Sequence, residues 1–173
     1  MQKLILAAAV AVVAPCAVQA HVTLETAEAP AGTYKAVLRV PHGCESEATL
    51  KLRVQIPEGV IAVKPMPKAG WELETVTGKY AKSYDYYGTP MTEGVTEIDW
   101  TGSLPDAFYD EFVFRGTLTD AFAPGTIVHF PVIQECRDKT ERWIEIPAAG
   151  QDPDSLEMPA PGVKILPAKG GDD

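Results

Sequence analysis

The chain has 173 residues, with 15 Lys and Arg against 24 Asp and Glu, and a formal net charge of −9. An acidic balance of that size argues against nucleic acid and against anionic membrane surfaces as partners, and is compatible with cations. The hydrophobic fraction of 46% is that of a globular protein, raised somewhat by an apolar N-terminus.

Residues 1–20 read as a cleaved signal peptide. Lys3 gives a positive start, Leu4 to Val13 is an unbroken apolar run, and Val18-Gln19-Ala20 is an A-x-A-like cleavage signal. The run is too short for a permanent membrane span. Pro15 directly before Cys16, without a clear lipobox, disfavours a lipoprotein. Cleavage after Ala20 makes His21 the first residue of a mature chain of about 150 residues, enough for one domain with a core. No later stretch is apolar enough to cross a bilayer, so the expected location is periplasmic or otherwise extracytoplasmic. No membrane or nucleic acid is expected among the partners of the mature form.

Two cysteines remain after cleavage, Cys44 and Cys136. In an oxidising compartment the simplest reading is one disulfide. It closes a loop of about ninety residues and stabilises by roughly 4 kcal/mol in the chain-entropy model. A pair of thiolate metal ligands is the competing reading, disfavoured because no C-x-x-C is present.

Along the mature chain the hydrophobic period is two. Ala48 to Ile56 is the cleanest case: Ala48, Leu50, Leu52, Val54 and Ile56 face one way and Thr49, Lys51, Arg53 and Gln55 the other. Tyr34, Ala36, Leu38 and Val40 repeat the pattern. Further strands are predicted over 22–26, 60–64, 71–76, 79–84, 95–101, 109–118, 126–134 and 141–146. Pro and Gly signals at Pro57-Glu58-Gly59, Pro65-Met66-Pro67, Gly88-Thr89-Pro90 and Pro124-Gly125 separate them. The expected fold is a single all-β sandwich over 21–148. Residues 149–173, rich in Pro, Gly and Asp, are expected to run extended over the surface, with disorder at 169–173.

Hydrolytic and phosphate-binding signatures are missing, and no enzyme activity is expected. His21 is the unusual residue. A terminal histidine offers its α-amino nitrogen and imidazole Nδ1 to one metal in a six-membered chelate. The amine, with a pKa of about 8, can yield its proton to a competing metal near neutrality. A nearly planar nitrogen set suits Cu(II). His42, in Pro41-His42-Gly43-Cys44, is a second candidate ligand, because a disulfide at Cys44 would fix its loop. Glu45 follows within reach as an oxygen ligand. His129 reads as a packed or edge histidine. Trp143 in Glu141–Ile146 is predicted to point away from the face shared by Ile144 and Ile146, either covering a neighbouring sheet or shielding a site. Trp71 and Trp100 read as packing residues.

The run HVTLETAEAPAGTYKAVLRVPHGC from His21, with the later IPEGV, KPMPKAGW, YDEFVFRG and ERWIEIPA, resembles the YcnI-like domain family across nearly the whole mature chain. The resemblance implies an immunoglobulin-like sandwich and an exported protein of copper handling. It implies one Cu(II) ion held by a monohistidine brace: the terminal His by amine and imidazole, an acidic side chain, and a nearby Trp. His21 and Trp143 match the first and last of these. Where such members carry Glu shortly after R-V-P, this chain has His42, so His42 replaces the carboxylate or Glu45 supplies it. The function implied is that of a copper metallochaperone or buffer, with another copper-handling protein as partner. The alternatives are a copper-dependent oxidative enzyme and a metal-free sandwich that binds a protein.

Overall fold

A computed structural model describes residues 21–168; the expected signal peptide and the predicted disorder at 169–173 lie outside them. Over the described residues, β1 (Thr23–Leu24), β2 (Glu28–Pro30), β3 (Gly32–Val40), β4 (Thr49–Gln55), β5 (Val60–Pro65) and β6 (Glu72–Tyr86) lead into β7 (Thr89–Leu104). Then follow β8 (Asp110–Leu118), β9 (Ile127–His129), β10 (Val132–Glu135), β11 (Thr140–Trp143) and β12 (Gly162–Leu166). They form a four-stranded sheet in the order β1-β3-β8-β5, a five-stranded sheet in the order β11-β10-β4-β7-β6, and a small sheet β2-β12-β9. The fold is all-β, as the period-two pattern predicts. Among the described residues no helix is long and apolar enough to cross a membrane.

The inward side chains of alternating strands make the core. Leu38, Phe112 and Phe114 of the first sheet meet Leu52, Val54, Ile98 and Trp100 of the second, all of them fully buried. Trp100 and Trp71 both pack edge-on against Phe112, with ring centroids 5.6 and 4.8 Å away, which confirms both tryptophans as packing residues. Each buried aromatic contributes a large apolar area and a preferred tilted contact.

Four departures from the sequence reading have local causes. The stretch 126–134 is two strands, because Pro131 lacks an N–H for a continuous ladder; β9 joins the small sheet and β10 the five-stranded one. The stretches 71–76 and 79–84 are one long strand, β6, which absorbs Gly78 through register shifts and returns into β7 across Tyr87-Gly88. Both turn residues have positive φ, 51° and 82°, as a two-residue type I′ turn requires. In β4 a register irregularity between Thr49 and Lys51 reverses the expected alternation, so Thr49 is buried and Leu50 faces out. The segment expected to run over the surface supplies β12, whose Val163 and Ile165 are buried in the core. It pairs parallel with β2 and antiparallel with β9.

Candidate metal centre at His21

His21 stands just ahead of β1. Val22 and Leu24 are buried, so the strand is pinned from its first turn inward. Thr23 is opposite Arg39 and Leu24 opposite Leu38 in the antiparallel pairing of β1 with β3. Continuing that register carries His21 to Pro41, directly before His42. His21 is half-buried. It lines an open hollow of about 310 Å³ whose other walls include Leu24, Ala27, Pro159 and Ala160.

The indole of Trp143 lies against the His21 imidazole, with ring centroids 5.3 Å apart and planes tilted by 53°. Trp143 does point away from Ile144 and Ile146, but it takes the inward face and the isoleucines the outward one. Trp143 points inward at 5% exposure, whereas Ile144 and Ile146 are exposed. Trp143 is opposite Val132, a core residue, and so shares its inner face. The larger apolar area of an indole favours its burial over that of either isoleucine. β11 also ends at Trp143, and Glu145 turns to bond the Met158 and Ala160 backbone instead.

Gln134 holds the indole in place. Trp143 Nε1 donates to Gln134 Oε1 at 3.1 Å. The Gln134 amide Nε2 donates to the carbonyl of His42 at 2.8 Å and to Thr49 Oγ1 at 2.7 Å. Indole N–H only donates and a carbonyl only accepts, so these partners fix which end of the amide is oxygen. Gln134 is 1% exposed, and a satisfied amide at that depth is a rigid junction. The sequence reading gave it no role. The available signal was a polar residue in phase with Val132 on an otherwise inward face.

Cys44 and Cys136 form the expected disulfide, with Cα atoms 6.1 Å apart. Cys136 lies two residues beyond Gln134 and Cys44 two beyond His42. The disulfide and the Gln134–His42 bond are therefore parallel ties between the same two segments. Gly43 N donates to Asp106 Oδ1 at 3.0 Å, and a Cβ at Gly43 would stand 1.7 Å from the Glu47 carbonyl. Only glycine fits there.

The His42 imidazole turns Nδ1 to the Gly43 carbonyl at 2.5 Å. Since that carbonyl can only accept, Nδ1 carries the proton in the neutral ring and Nε2 keeps its lone pair. Glu45 is directed elsewhere: it occupies the exposed turn between Cys44 and Glu47, and its carboxylate pairs with Lys139 Nζ. His129 is half-buried in β9, with Nδ1 3.2 Å from the Ala160 carbonyl. The fold thus gathers Trp143, Thr49 and the His42 carbonyl on Gln134, lays His21 against Trp143, and engages Glu45 with Lys139. Among the described residues no three His, Cys, Asp or Glu side chains converge as a metal cage.

The family model described as Domain of unknown function (DUF1775) matches residues 21–165. The chain belongs to this YcnI-like family. Its fold is also seen in the crystal structure of an uncharacterized protein from Nocardia farcinica, described as revealing an immunoglobulin-like fold. That structure superposes with a TM-score of 0.63 at 22% identity, over 85% of this chain and 99% of that one. No curated protein matches the YcnI-like chain.

Proposed function

We propose that this protein, once cut after Ala20, binds one Cu(II) through the amine and imidazole of His21 and serves extracytoplasmic copper handling as a metallochaperone or buffer. The observation that carries the reading is the His21–Trp143 contact, with the indole held by a buried, fully bonded Gln134. A terminal histidine on a mobile end would chelate any passing metal. One laid against a fixed ring has its imidazole plane set beforehand, which lowers the ordering cost of binding. The indole covers one side of the imidazole, and its face favours a cation nearby. Cu(II) prefers a nearly planar nitrogen set with weak axial contacts.

His42 is the proposed third donor, through Nε2. The disulfide supports an oxidising compartment. We read the protein as a binder, not an enzyme. The test is Cu(II) titration of cleaved protein, followed by spin-resonance spectra and tryptophan emission. One equivalent should give nitrogen hyperfine structure and quench emission, and the quench should shrink in Trp143→Phe. Nitrogen-free spectra, or quenching unchanged by that substitution, would overturn the reading.

A further inference from the structure

On the outer face of the four-stranded sheet, three exposed cations stand in one row. Arg115 on β8 is the register partner of both Lys35 on β3 and Lys64 on β5. Like charges placed directly opposite destabilise a sheet. Some other cations of this chain have an acid beside them: Arg39 with Glu25, Lys51 with Asp99, Lys68 with Asp110. Among the described residues no carboxylate lies within ion-pair distance of Lys35, Lys64 or Arg115. Arg115 reaches only the Thr33 hydroxyl, at 3.5 Å. Lys79, Lys82, Arg137 and Arg142 also lack an ion pair among the described residues, but Lys35, Arg115 and Lys64 stand side by side across three paired strands of a chain with net charge −9.

The row borders an open hollow of about 400 Å³ with an apolar lining that includes Met66, Pro67 and Val113. Met66 is 51% exposed. We propose that row and hollow form a docking surface for an acidic protein segment, which sets carboxylates on Lys35, Arg115 and Lys64 and an apolar side chain against Met66 and Val113. Neighbouring strands are about 4.8 Å apart, so the three cations span roughly 10 Å, and acids at alternate positions of an extended chain, about 7 Å apart, can bridge them.

The other occupants fit less well. An inorganic anion would leave the apolar lining uncovered. Attachment to anionic lipid uses clusters of about 4–8 cations, and the rest of this acidic surface would be repelled. A second copy carries the same large negative charge. The proposal does not rest on copper and is tested on metal-free protein.

The experiment is an amide NMR titration of the cleaved full chain with a short peptide of Asp, Glu and Leu, against its Asn, Gln and Leu counterpart. Anionic phosphatidylglycerol vesicles and sedimentation of the protein alone are the comparison arms. The acidic peptide should shift amides at Lys35, Lys64, Met66 and Arg115, weaken with salt, and lose at least tenfold in affinity in Lys35→Glu/Arg115→Glu. Arg115→Gln should raise the melting temperature by ending the repulsion, whereas a merely structural Arg115 predicts a fall. Shifts absent or located elsewhere, equal binding of the neutral peptide, binding to vesicles alone, self-association through this face, or a destabilised Arg115→Gln would each overturn the proposal.

Discussion

Trp143 and Gln134 are joined by an indole-to-amide hydrogen bond of 3.1 Å that is buried on both sides. It couples the ring under His21 to the loop that carries His42, because the same amide also holds the His42 carbonyl. A substitution at Gln134 should therefore be felt at both candidate ligands.

Gln134→Leu keeps the volume approximately and removes every polar partner. Trp143 Nε1, the Thr49 hydroxyl and the His42 carbonyl then lose their bonds inside the core. Each buried orphan costs about 1–3 kcal/mol, and partial rearrangement should leave a net loss of about 3 kcal/mol. Urea unfolding measures the loss. Cu(II) affinity should fall even in the folded fraction, since the indole is no longer anchored.

Extending the cleaved chain by one glycine before His21 converts the amine into an amide, a poor ligand near neutral pH. The sandwich does not use that nitrogen, so the melting temperature should stay the same. Competition with a chelator should show Cu(II) affinity lowered by at least a hundredfold. Equal affinities would place any copper away from the terminal amine.

His42→Ala and His129→Ala separate a ligand from a packing residue. His42 presents a free Nε2 from a loop tied by the disulfide, whereas His129 faces the Ala160 carbonyl within the small sheet. Only His42→Ala should weaken Cu(II) binding, by about tenfold or more. Matching behaviour of the two variants would count against His42.

Alkaline titration should unfold the protein through its buried tyrosines. Burial pushes the Tyr34 phenol up to about 12, and burial together with the Glu58 carboxylate does the same for Tyr84. A raised folded pKa means that the folded state holds the proton longer. The stabilisation is therefore fully present below about pH 10 and is lost as pH rises towards 12. Each tyrosine should add up to about 1.4 kcal/mol per pH unit to the decline in that window. Denaturation curves at a series of pH values should show a shallower slope in Tyr34→Phe.

Ser46 and Glu45 both have positive φ, 82° and 46°, in the two-residue turn between Cys44 and Glu47. Glycine is free of the Cβ penalty there, so Ser46→Gly should stabilise by about 0.5–1 kcal/mol. A calorimetric melt that moves downward would contradict this account of the turn.

The strands were legible wherever one face is wet, because alternation then writes itself into the residues. Lys51, Arg53 and Gln55 opposite Leu52, Val54 and Ile56 are the example. The same reading missed β12, whose Val163 and Ile165 sit amid Pro and Gly that mimic a tail. It also failed at Thr49, where a shift of register is a property of two strands together and has no mark in one. His21 could be singled out because its chemistry is local. The inward turn of Trp143 could not, since it depends on Val132 and Gln134, which reach it only through pairing. The disulfide followed from a count and a compartment alone.

β12 lies beside β2, and the segment just before it, Pro159 to Gly162, walls the hollow at His21. His21, just ahead of β1, is thus framed by residues just ahead of β12. Until Pro159 to Leu166 are in place, the hollow at His21 lacks that wall, and the edges of β2 and β9 that β12 covers are bare. A product ended before Pro159 would therefore carry His21 without this wall and leave β2 and β9 without β12.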